Sequence, residues 1–227
     1  MADMAKIPRD LYSIVVAGAM NPALHHPGWY KSQNFINQQE QDSAVTAQPL
    51  ITTPQFSNFV APEFTITCLP DRWEIQTVRS QAMDRILSVA CSVFEALNHT
   101  PVGAYGFNFI SNREVGVPKA GQTLAEALAR LPFGFPVAED TEGEISFTAK
   151  GEKQKITLVI SKSILGDNFA SIRFNAHHEI TAPKDTIFDL TPMLRRDFWP
   201  DFQRADAYFH SVASGFPSLR GAHAGRN

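Results

Sequence analysis

Residues 64–77 read FTITCLPDRWEIQT, and this stretch decides the fold class. Phe64, Ile66 and Cys68 alternate with Thr65 and Thr67, the period of two of a strand with one buried face. Trp73, Ile75 and Thr77 repeat the pattern against Glu74 and Gln76. Between them, Leu69-Pro70-Asp71-Arg72 carries turn chemistry, because proline presets φ and aspartate bonds the nearby backbone. Two alternating runs joined by a short turn predict an antiparallel hairpin.

Toward the C-terminus the period changes. Met83, Ile86, Leu87, Ala90, Phe94 and Leu97 recur at spacings of three and four, with Asp84, Arg85, Ser88 and Glu95 between them. That pattern predicts an amphipathic helix, capped by Ser80 and ended by Asn98, His99 and Pro101. Tyr105, Phe107 and Phe109 predict a further strand, which Gly103 and Gly106 allow to bend. A short helix is expected over 123–131, with Leu124, Ala127, Leu128 and Leu131 inward. Pro132-Phe133-Gly134-Phe135-Pro136 and the acidic Glu139, Asp140 and Glu142 then mark a boundary between two halves.

Three strand patterns follow at 144–149, 155–161 and 169–180. Their loops, Lys150-Gly151-Glu152-Lys153 and Gly166-Asp167-Asn168, are too short for crossover helices and predict an antiparallel meander. Gly151 is expected at positive φ in the first turn. A closing helix from Pro200 to Ser214 carries Phe202, Ala205, Phe209 and Val212 on one face, with Gly215 and Pro217 as its stop.

Toward the N-terminus, 13–18 (SIVVAG) reads as a buried strand. Residues 21–30 hold two prolines and a glycine and read as an irregular, aromatic-bearing loop. The polar stretch 32–53 reads as a solvated helix or a mobile linker. The expected fold is α+β, an antiparallel sheet with long helices packed on one face, in two similar-sized halves that share a core. Residues 1–54 form an N-terminal strand plus polar segment, 55–136 and 137–216 the two halves, and 217–227 a flexible tail.

Hydrophobic residues make up 44% of the chain and charged ones 19%, which is globular rather than disordered composition. Net charge is −3 and the basic residues are scattered, so no global field favours nucleic acid or an anionic membrane. No apolar run approaches the roughly 18 residues of a membrane span, and no secretory leader pattern is present, so a cytoplasmic location without membrane partners is expected. Cys68 and Cys91 are expected as free, buried thiols.

Phosphate loops, nucleophile elbows, zinc knuckles and dinucleotide fingerprints are all missing. His177-His178-Glu179 is the most chemical-looking cluster. Strand alternation sends His178 inward with Ala170, Ile172, Phe174, Ala176 and Ile180, and His177 and Glu179 outward with Arg173 and Asn175. A metal held by His177 would need partners such as His210 or Asp206 from the last helix. Neither a metal nor a cofactor is expected.

His25-His26-Pro27-Gly28-Trp29-Tyr30 reads in three ways, one of them a small-molecule pocket or proton-transfer site of two imidazoles beside two aromatics. Trp29 and Tyr30 fold back on the core edge while the histidines meet solvent, or the loop anchors a partner. Arg195-Arg196-Asp197-Phe198-Trp199-Pro200-Asp201 offers cations that stack on rings or clamp carboxylates. The partner-binding candidates are therefore His25, His26, Trp29, Tyr30, Arg195, Arg196 and Trp199.

RWEIQTV, then VFEALNHTPVGAYGFNF, and later ISFTAK, ITLVIS, ASIRFNAHHEI and FHSVASGF resemble a group of uncharacterised bacterial proteins of two α+β halves. In that group a helix precedes a strand with a glycine-aromatic-asparagine pattern, here Gly106-Phe107-Asn108. The resemblance spans about residues 55–216 and implies an α+β fold, with no known activity, cofactor or functional residues.

The functional expectation is a non-enzymatic binding or assembly protein that works through protein–protein contacts or as a homodimer. The alternative is a small-molecule or metal-dependent enzyme in which His25, His26, His177 and His210 converge. A third reading, a nucleic-acid module, needs a basic groove of Lys150, Lys153, Lys155, Lys162 and Arg173.

Overall fold

The computed structural model describes residues 9–129, 142–181 and 188–221, with side chains to 217. In chain order the elements are β1 (Asp10–Gly18), α1 (Pro27–Ser32), α2 (Gln38–Thr46), β2 (Ile51–Thr52), β3 (Ser57–Val60), β4 (Thr65–Leu69) and β5 (Arg72–Thr77). Then come α3 (Met83–Ala96), β6 (Val102–Glu114), α4 (Ala120–Ala129), β7 (Ile145–Lys150), β8 (Gln154–Lys162), β9 (Phe169–Glu179) and α5 (Thr191–Gly221). The fold is α+β, with five α-helices and one antiparallel sheet of nine strands among the described residues, in the order β2-β3-β4-β5-β1-β6-β9-β8-β7.

The hairpin at 64–77 is β4 and β5, paired Ile66 to Ile75 and Cys68 to Trp73. β1 lies between β5 and β6, with Ile14 opposite both Ile75 and Phe107. The register lines up Ile66, Ile75, Ile14, Phe107, Ala176, Ile156 and Ala149 as an apolar row across seven strands. One residue along each strand the side chains point the other way, because the strand period is two.

The sheet's buried residues join one hydrophobic cluster with Ile86, Val93 and Phe94 of α3 and Leu194, Phe198, Ala205 and Phe209 of α5. α3 packs against β1 and β5, α4 against β8, and α5 against β6, β9 and α3. Cys68 and Cys91 are free and buried within this core, and burial pushes the Cys68 thiol up to about 12.

Four local expectations are corrected. Residues 21–30 are not irregular: Pro22 starts a 3₁₀ turn and Pro27 opens α1, where a missing N–H costs nothing. Ser80 does not cap α3; it begins a 3₁₀ turn over Ser80–Ala82, and Ala82 precedes the helix without a side-chain cap. Gly151 is not at positive φ, and its N–H instead closes the β7–β8 turn on the Gln154 carbonyl at 2.7 Å. α5 begins at Thr191, where the Asp189 carboxylate accepts the Thr191 N–H at 2.9 Å, and runs through Pro200, Gly215 and Pro217. Its buried stripe, Leu194, Phe198, Ala205, Phe209 and Phe216, outweighs these helix breakers.

The polar stretch is partly helical, because Asn37 and Glu40 form a reciprocal capping box for α2. The expected boundary at 136/137, Leu131, the acidic Glu139 and Asp140, and the end of the expected tail lie outside the described residues.

Candidate functional site

The polar side of the sheet is a built surface. Thr65, Gln76, Ser13, Asn108, Asn175, Thr157 and Thr148 stand directly opposite one another on β4, β5, β1, β6, β9, β8 and β7. Every member is a neutral hydroxyl or amide. Asn108 Nδ2 donates to Ser13 Oγ at 3.2 Å, Asn175 Nδ2 donates to Asn108 Oδ1, and Thr148 and Thr157 share a hydroxyl contact at 3.4 Å. Beside this row runs a second, Leu11, Ile110, Arg173 and Val159, all but Arg173 half-buried and apolar. Together Leu11, Ser13, Asn108, Ile110, Arg173 and Asn175 line a shallow groove of about 290 Å³.

Gly106 stands directly opposite His177, two residues along β6 from Asn108. A Cβ there would sit 2.9 Å from the Ala176 carbonyl oxygen, so the glycine is required by close strand approach rather than by a bend. Two ion pairs lie on this face, while Lys150 and Lys155 form none among the described residues. Arg72 meets Glu74 at 3.3 Å and Arg173 meets Glu144 at 2.7 Å.

A second polar constellation lies where α5 crosses β9. His178 is 8% exposed and Asp201 2%, and the imidazole Nε2 donates to Asp201 Oδ2 at 2.7 Å. Gln154 Nε2 donates to the other Asp201 oxygen at 3.2 Å. The His178 ring stacks on Tyr105 with centroids 4.7 Å apart, and its Nδ1 lies 3.8 Å from Asp197 Oδ2. Arg196 grips Asp197 with two 2.7 Å bonds, and the Tyr105 hydroxyl donates to the same carboxylate.

Burial pushes the Asp197 carboxyl up, but the Arg196 and Tyr105 donors outweigh it and leave it below its ordinary value. Burial, then Asp197 beside it, push the Tyr105 phenol above its ordinary value. Lys153, Gln154, His178, Arg196, Asp197 and Arg204 line a depression of about 490 Å³ over this network. Both carboxylates are held by protein donors, an arrangement that fastens α5 to the sheet.

The residues singled out in the sequence divide between two places. Tyr30 is fully enclosed, and its hydroxyl takes the Trp73 indole N–H at 3.0 Å and contacts His25 Nδ1 at 2.8 Å. An indole can only donate, so the Tyr30 oxygen accepts there and its own proton is free to serve His25 Nδ1. His25 is not in solvent: it is 1% exposed, and burial drives its pKa down to about 4. His26 does face water, and its Nδ1 accepts the Gly28 N–H at 3.0 Å as the cap of α1.

Trp29 and Trp199 lie in helices rather than loops, half-buried, Trp29 against Phe35 and Trp199 against Phe198 and Phe202. Arg195 and Arg196 are exposed on α5. Among the described residues no hydrogen bond, ion pair or ring contact joins the 25–30 group to the 195–199 group.

The four histidines of the enzyme alternative do not converge. His25 is locked to Tyr30, His177 faces outward beside Lys155 on β8, and His210 lies exposed on α5 against Asp206 at 3.5 Å. Among the described residues no group of three or more His, Cys, Asp or Glu is placed to hold a metal ion. In the expected basic groove, Lys162 is held by Glu142 at 2.5 Å and Asp167 at 3.0 Å, and Arg173 by Glu144. No helix among the described residues is long and apolar enough to cross a membrane. No known family profile matches the chain, and no curated protein matches it either.

Proposed function

We propose that this chain is a non-enzymatic binding protein that works through protein–protein contact, and that the polar face of the sheet seats its partner. In this reading α3, α4 and α5 cover one face of the sheet and leave the other as the working surface. The two halves, 55–136 and 137–216, then share one sheet and one core, with β6 of the first paired to β9 of the second.

The observation that carries the reading is the row of seven neutral hydroxyl and amide side chains on consecutive strands. Uncharged donors and acceptors beside half-buried aliphatic side chains suit a polypeptide segment, whose own amides and apolar side chains need both. They suit a phosphate backbone less well, because nucleic-acid affinity rests on a run of free cations, and here Arg72 and Arg173 are paired while Lys150 and Lys155 stand only at the β7–β8 end.

The test places a photo-activated cross-linking residue at Gln76 or Thr157 on the polar face, or at Gln203 on the exposed side of α5, in cells that make the protein. A polypeptide adduct at Gln76 and Thr157, absent at Gln203, is expected. It should vanish when Asn108→Leu and Asn175→Leu replace the central amides together, a paired change that leaves neither amide without its partner. Equal labelling at all three positions, or an adduct that nuclease removes, overturns the reading.

A further inference from the structure

The two edges of the sheet are built differently. β2 has two residues, with Pro49 before it and Pro54 after it, so it offers almost no backbone to another strand. β7 has six residues without proline, and its pairing with β8 runs unbroken from Ile145–Ile160 to Lys150–Lys155. Among the described residues its other side pairs with no strand. On the apolar side, Tyr12, Phe109, Phe174, Leu158 and Phe147 form one row, and it ends in a bare ring: Phe147 is 58% exposed.

We infer that β7 pairs antiparallel with β7 of a second copy of this chain, with the two-fold axis at Phe147. The register follows from geometry. Strand alternation keeps apolar and polar faces aligned only if the numbers of directly opposed residues sum to an even value. Centred on Phe147, the pairing sets Phe147 against itself, Ile145 against Ala149, and Ser146 against Thr148. It also sets Glu144 against Lys150 at both ends, so two opposite charges meet twice across the axis.

Glu144 is on the side this requires, since its carboxylate reaches Arg173 on the polar face at 2.7 Å, and Lys150 lies on that face opposite Lys155. Moving the centre to Thr148 sets Lys150 against Ser146 and loses both charge pairs, whereas moving it to Ser146 sets Glu144 against Thr148 and leaves Lys150 only Glu142, which lies outside β7 and is already bound to Lys162 at 2.5 Å. The contact is isologous and closes as a dimer. The contact uses the backbone edge of β7 rather than the open side of the polar row, so either proposal can fail alone.

The test is sedimentation of the full chain over a concentration series, with cysteine cross-linking to read the register. Wild type should shift from the 25.1 kDa of one chain toward twice that mass, and Phe147→Lys should lose the shift while keeping the wild-type circular dichroism and urea transition. Ser146→Cys mixed with Thr148→Cys should form an intermolecular disulfide on oxidation much faster than either alone, with buried Cys68 and Cys91 taking no part. A wild type that stays at one chain's mass, a dimer that survives Phe147→Lys, or cross-linking of Ser146→Cys alone as fast as the mixture overturns the inference.

Discussion

His25 and His178 each belong to a His-His pair, each is buried, and each has an outward-facing neighbour, yet their surroundings are opposite in kind. His25 sits among Trp29 and Tyr30, with one polar contact to a neutral phenol. His178 sits against the carboxylate of Asp201, with Asp197 3.8 Å away. The first environment excludes a charge and the second is made of charges. Burial alone therefore says little about what a histidine does; the groups that enclose it decide.

The largest effect is expected at the carboxylate site. His178→Ala removes the hydrogen-bond donor that faces Asp201 and should cost about 3 kcal/mol, the upper range for a buried acceptor that loses its partner, read from urea unfolding at neutral pH. A loss below about 1 kcal/mol would place His178 with solvent-screened pairs and break the contrast.

The aromatic site should respond to pH instead. His25 has a folded pKa lowered to about 4 from the ordinary 6.5, so as pH falls the unfolded chain takes up the proton first. The stability held by the neutral ring is complete above pH 6.5 and is lost as pH falls toward 4. At about 1.4 kcal/mol per pH unit the loss amounts to about 3 kcal/mol. Urea midpoints across this window should fall less steeply in His25→Gln than in wild type; equal slopes would assign the acid sensitivity elsewhere.

The smallest effect sharpens the comparison at the two tyrosines. Tyr30→Phe deprives both Trp73 Nε1 and His25 Nδ1 of their partner and should cost about 1–2 kcal/mol by fluorescence-monitored unfolding. Tyr105→Phe should cost less, because Asp197 keeps both Arg196 bonds. The reverse order would show that the carboxylate network, not the aromatic one, depends on its phenol.

Much of the sheet was legible before any coordinates. Period-two alternation located β4, β5, β6, β8 and β9, and it sent His178 inward and His177 outward. α3 was legible for the same reason, since its stripe faces one direction at spacings of three and four. Elements read through breakers fared worse. Pro27 reads locally as a loop residue although the first helical position tolerates it, and Pro200 as a helix start although α5 begins nine residues earlier. A breaker's effect depends on what the helix buries, and a local reading cannot weigh that.

The candidate surface shows the same limit. Asn175 could be placed on the polar face, but nothing local says that Asn108 and Ser13 stand opposite it. Likewise Asp197 and Asp201 are visible in the sequence, but their link to His178 is not, because a helix and a strand about twenty residues apart must first pack.

By itself the sequence determined periodicity: which residues alternate, which recur every third or fourth position, and hence the α+β class and the inward side of each element. Tertiary structure alone decided order and partnership. It placed β1 at the centre of nine strands, enclosed His25 with Tyr30, and brought His178 to Asp201. The physical reason is range. Periodicity is written in neighbouring residues through backbone geometry, whereas pairing is set by which distant apolar faces bury one another, and the polar partners are carried along with them.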